Sequence, residues 1–64
     1  MYAWTYLDSN GNPMGASGRF EDADSAESWL GMSWQGLAEF GVEEVELHDH
    51  SRGERVYRMG LAAE

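Results

Sequence analysis

A chain of 64 residues with 12 Asp and Glu against 4 Arg, no Lys and no Cys, carries a formal net charge of −8. That length holds one domain with a marginal core, since a chain this short buries only about 60% of the surface it exposes when unfolded. The charge repels phosphate backbones and anionic headgroups, which argues against direct nucleic-acid or membrane binding, and the lack of Cys excludes a disulfide framework.

Tyr2-Ala3-Trp4-Thr5-Tyr6-Leu7 is rich in aromatic residues and Thr, as strands are. Asp8-Ser9-Asn10-Gly11-Asn12-Pro13 follows, and its Asn-Gly pair signals a hairpin. Met14 to Phe20 reads as a weaker returning strand, thinned by Gly15 and Gly18 into an edge or a bulge. Asp22 is a good helix N-cap, with Asp24 and Glu27 as an alternative box-like start. On a helical wheel Ala26, Trp29, Leu30, Ser33, Leu37 and Phe40 share one face, with Trp34 at its margin. Trp29 is the expected centre of the core, reaching Val45, Leu47, Tyr57 and Met59. Gly31 and Gly36 each cost a helix about 1 kcal/mol against Ala, which suggests close packing there. Gly41 is the expected left-handed cap, with Val42 as its apolar follower.

Beyond the helix, Val45 and Leu47 alternate with Glu44, Glu46 and His48, the pattern of a half-buried strand. His50-Ser51-Arg52-Gly53-Glu54 is a turn by composition. The last strand runs from Arg55 to Leu61, with Tyr57, Met59 and Leu61 inward and Arg58 outward, able to pair with a Glu. A frayed tail, Ala62-Ala63-Glu64, is expected after it. The fold class is therefore α+β, in the order β-β-α-β-β: a four-stranded antiparallel sheet with one amphipathic helix on one face. Strand order stays open.

The faces of the first strand are ambiguous. Tyr2, Trp4 and Tyr6 either pack under the helix or form an exposed aromatic row, which would mark a contact surface. Together with Met32 and Trp34 they make the candidate interaction surface. Glu43, Glu44 and Glu46 are the candidate acidic surface.

Chemistry finds little support. Asp8-Ser9-Asn10-Gly11-Asn12 has alternating oxygen side chains, but a calcium loop would need Gly where Pro13 stands and an acid where Arg19 stands. His48 and His50, on one face of a strand, are candidates for a metal or a proton-linked role. Two imidazoles fall short of the four ligands zinc takes. Gly15-Ala16-Ser17-Gly18 lacks the Lys of a phosphate loop. No nucleophile has a base that a third group orients. No enzyme activity, no cofactor and no metal are expected. With no charged-then-apolar leader and no apolar stretch near the ~20 residues of a membrane span, the cytoplasm is the expected compartment.

The stretches Ala26-Glu27-Ser28-Trp29-Leu30-Gly31, Gly41-Val42-Glu43-Glu44-Val45 and Val56-Tyr57-Arg58-Met59-Gly60-Leu61 resemble a family of short, acidic actinobacterial proteins. Those combine a "sAExWlG" helix, a Gly-Val helix exit and a closing "VYxMxL" strand. The resemblance implies the same element order and no functional residue. The functional expectation is a small non-enzymatic interaction module whose partner is a protein, first of all a second copy in a homodimer. The rival expectation is an acidic inhibitor or nucleic-acid mimic bound to a basic groove. It requires Glu21, Asp22, Asp24, Glu27, Glu43, Glu44 and Glu46 to gather on one surface.

Overall fold

Strand and helix signals resolve into five elements in the computed structural model, which describes residues 1–61. They are β1 (Tyr2–Leu7), β2 (Pro13–Ala16), α1 (Ala23–Glu39), β3 (Glu44–Asp49) and β4 (Glu54–Gly60). The tail Ala62-Ala63-Glu64, expected to fray, lies outside the described residues. The strands form one antiparallel sheet in the order β2-β1-β3-β4, with one helix, as the α+β reading requires. The two central strands thus come from different hairpins, and α1 carries the chain from an edge strand back to the middle.

The first turn is longer than an Asn-Gly pair alone would make it. The Gly11 N–H donates to the Asp8 carbonyl, and Asp8 Oδ1 accepts from the N–H groups of Asn10 and Asn12. Only Gly11 takes a positive φ, of 82°, and Asn10 does not. Asp8 thereby holds the loop from its own side chain, an Asx arrangement in place of the two-residue turn. β2 is shorter than the sequence predicts, ending at Ala16. Pairing persists beyond it, since the Ser17 N–H donates to the Trp4 carbonyl and Phe20 exchanges two backbone hydrogen bonds with Tyr2.

At the start of α1 the Asp22 carboxylate accepts from the Ser25 N–H at 2.8 Å, as an N-cap does. That hydrogen bond holds the Asp22 carboxyl below its ordinary pKa. At the other end Gly41 has φ 97°. Its N–H donates to the Ala38 carbonyl while the Val42 N–H donates to the Leu37 carbonyl, the paired pattern of a Schellman cap. The cap turns Val42 into the core and leaves Phe40, expected inside, 85% exposed.

The core sits between α1 and the inner sheet face and is made by Trp4, Ala26, Leu30, Val42, Val45, Leu47 and Leu61. Its centre is Trp4, fully buried, and not Trp29. The Trp4 Nε1–H donates to the Ala26 carbonyl at 2.8 Å, so the ring can be buried with its one polar atom satisfied. Tyr57 packs on it edge-on, with ring centroids 5.9 Å apart. Trp29 and Trp34 lie five residues apart on a helix of 3.6 residues per turn, which puts them on opposite flanks of the Ala26–Leu30 stripe. Trp29 is half-buried against Phe20, at 5.6 Å between centroids, and closes the β2 side.

The two edges of the sheet differ in build. β2 has four residues, includes Pro13 and Gly15, and is exposed throughout. β4 has a register shift where β3 passes from Leu47 to His48: Leu47 faces Tyr57 and His48 faces Arg55, so Val56 is an extra residue. Arg55 and Arg58 flank that bulge.

Candidate functional site

α1 approaches the backbone of the sheet only at β1. The helix is thus narrower than the sheet it covers, and the inner side of β4 emerges from beneath it. Between them runs an open groove of about 550 Å³, walled by Leu30, Gly31 and Trp34 from the helix and by Tyr57, Met59 and Leu61 from the β4 side, with Glu27 on its rim. That volume lies within the roughly 300–1,000 Å³ of ordinary ligand sites. Glu27 and Trp34 are seven helical residues apart, which spaces them along the helix axis by about 10 Å.

The polar end of the groove is a single hydrogen bond. The Tyr57 hydroxyl donates to Glu27 Oε2 at 2.7 Å. Burial of the phenol, followed by that bond and the Glu27 charge, pushes the Tyr57 pKa up to about 12 from 10.0. A phenol with a raised pKa in the folded state contributes stability that is fully present below its unfolded value and is lost as pH rises toward the folded one. The melting temperature of the wild type should therefore fall between about pH 10 and about pH 12, more steeply than that of Tyr57→Phe. Tyr6, raised by burial, acts in the same direction in both proteins. Parallel wild-type and variant curves across that window would show that Tyr57 does not carry the effect.

Gly31 was expected to mark close packing, and it does not. A Cβ built there meets nothing within 4 Å, and the same is true of Gly36. Neither takes a positive φ. What Gly31 does is leave the helix wall of the groove without a side chain.

The residues of the candidate interaction surface are not brought together. Trp4, which an exposed aromatic row would need outside, is the most enclosed ring in the molecule. Tyr2 and Tyr6 lie on the same inner side, half-buried against the core. The physical reason is register: Trp4 faces Leu47 and Tyr6 faces Val45 across β1 and β3, so all four side chains point to the helix. Met32 is 82% exposed and belongs with Phe40 to a separate shallow depression beside Ser33, Gly36 and Leu37. Trp34 alone of the five lines the groove.

The candidate acidic surface is also divided. Glu44 and Glu46 lie on the open face of the sheet, where Arg58 pairs with both and Arg55 with Glu46 at 3.2 Å. His48 Nε2 stands 3.0 Å from Glu46 Oε1, and this contact is the main cause of the depressed Glu46 pKa. Glu43 sits beyond the helix C-terminus, while Glu21, Asp22, Asp24 and Glu27 surround its start. The seven carboxylates that the mimic reading needs on one surface are thus split between the helix start and the β3 region, where Glu43 and Glu44 line one depression. His48 and His50 stack at 6.2 Å on the open face, but no group of three His, Asp or Glu positioned for a metal occurs among the described residues. Nor is any helix among them long and apolar enough to cross a membrane.

Sequence reasoning missed Tyr57, Met59 and Gly31 as groove walls. The first two read as ordinary inward positions of a strand, and nothing in a helical wheel tells how wide a sheet the helix must cover. The one available signal was Gly31 itself, a helix-weakening residue beside an apolar stripe. No protein-family model, no curated protein and no solved structure matches the chain.

Proposed function

We propose that the protein is a small, non-enzymatic interaction module that receives part of another polypeptide in the groove between α1 and β4. The observation that carries this reading is Gly31. A helix with Gly mid-length is less stable by about 1 kcal/mol than one with Ala, a large share for a domain whose core supplies only about 3–5 kcal/mol. No backbone strain and no close neighbour requires that glycine. It leaves bare backbone in the helix wall of an apolar groove that Trp34 and Met59 also line. The open face of the sheet is less inviting, because ion pairs cover it.

Gly31→Arg tests the reading without risk to the fold. Arg is a good helix former and stands four residues after Glu27, the favourable orientation for an ion pair, so the domain should gain about 1 kcal/mol and melt several degrees higher. The same side chain should fill the groove. Wild type and variant would be compared in affinity capture from the source cells and in sedimentation at rising concentration. Capture or self-association present in the wild type and absent in the more stable variant supports the groove. Identical behaviour of the two would remove it.

The acidic-mimic reading is the weaker one. A mimic needs a continuous field of uncompensated carboxylates, and here Glu44 and Glu46 are neutralised by Arg55 and Arg58 on a face away from the helix start.

A further inference from the structure

We infer that the groove takes a segment of a different protein in which a large apolar side chain stands close to a Lys or Arg, and not a second copy of this chain. The inference rests on the groove being the docking surface and adds the chemistry of what enters it. The groove offers the indole of Trp34 with Leu30 and Met59 among its other walls, a setting for an apolar side chain. Seven residues earlier on the helix, about 10 Å along its axis, stands Glu27, and an extended segment covers that axial rise in about three residues. Among the described residues the only partner of that carboxylate is the neutral Tyr57 hydroxyl, so its charge is uncompensated.

Charge decides between the occupants. The chain carries −8 overall, a field that draws basic segments in and sets two copies against each other. A second copy also has little to offer Glu27. Arg55 and Arg58 are engaged with Glu46 and Glu44, and Arg52 stands 4.0 Å from Asp49 and Glu54, which leaves Arg19 as the one Arg with no carboxylate at or within that distance among the described residues. Its neighbour Phe20 is committed to Trp29. The Met1 ammonium, beside an exposed Met1 side chain, is held by Ser51 Oγ at 2.6 Å and stands 3.9 Å from Asp49.

Random twelve-residue peptides displayed on phage would be selected against the full chain, and the enriched peptides synthesised and titrated by calorimetry. Enriched sequences should pair Leu, Ile, Met, Phe or Trp with Lys or Arg two to four residues away. Their affinity should fall about tenfold or more on Glu27→Gln, on replacing the basic residue by Gln, and on Gly31→Arg, with both protein variants still melting cooperatively. Peptides that need the groove, by their loss on Gly31→Arg, but bind equally well without a basic residue or to Glu27→Gln overturn this inference and leave the docking surface standing. So does sedimentation showing a groove-dependent dimer of the wild type that peptide cannot dissociate. Enriched peptides indifferent to Gly31→Arg, or no enrichment at all, overturn the docking surface itself.

Discussion

Trp4→Ala should leave the chain unfolded at room temperature. The ring is the largest side chain in the core with no exposed surface, touches Tyr57 edge-on, and is tied to α1 through its N–H to the Ala26 carbonyl. Truncating a buried Trp costs about 3–5 kcal/mol through lost transfer energy and the cavity left behind. A core this small supplies about that much in total. Trp29→Ala, which removes a half-buried ring from the β2 flank, should by contrast stay folded with a lower midpoint. Far-ultraviolet circular dichroism with thermal melts of the two variants checks the contrast. A cooperative melt of Trp4→Ala within a few degrees of wild type would mean that the helix is held to the sheet by something other than this ring.

Gly41→Val should come next in severity. Gly41 sits at φ 97°, and there is room for a side chain, since only the Met14 Cε lies near, at 4.0 Å. The cost is therefore one of backbone conformation. Holding an L-residue at left-handed φ costs on the order of 1–3 kcal/mol, with β-branched residues at the upper end. Relaxing that strain would break the Gly41 and Val42 hydrogen bonds that end α1 and would withdraw Val42 from the core. We expect a loss of about 2–3 kcal/mol in urea unfolding, with Gly41→Asn losing clearly less because Asn tolerates the left-handed region. Equal losses for Asn and Val would point to sterics, contrary to the open space around the position.

Those two residues also mark what a reader of the sequence can and cannot extract. Gly41 was legible because capping is local: Phe40-Gly41-Val42 at the end of an apolar-periodic run admits few conformations. The same holds for Asp22 and for the order of the five elements. Trp4 was not legible as the centre. A strand of alternating aromatic and smaller residues can turn either face inward, and the choice falls to register with β3, some forty residues away. The wheel placed Trp29 on the buried face and came close, but wheels rank positions by angle alone. They carry no information on what lies beneath, and here α1 sits over β1, with its two flanking Trp residues reaching past the stripe on either side. The groove escaped for the same reason, being a mismatch of widths between two elements that are each ordinary by themselves.

The build of the two outer strands bears on what such a molecule can become at high concentration. Growth of one sheet into another, the route to fibres, needs a straight run of free N–H and C=O groups in a single phase. On β2 that run is four residues long and includes Pro13, which has no N–H to give. On β4 the extra residue Val56 shifts the alternation, so that side chains before and after it fall out of step for any straight neighbour. An exposed Val56 and Met59 on an unmodified strand would be an aggregation hazard; the bulge converts that hazard into a dead end. Growth of the sheet through either outer strand is thereby disfavoured.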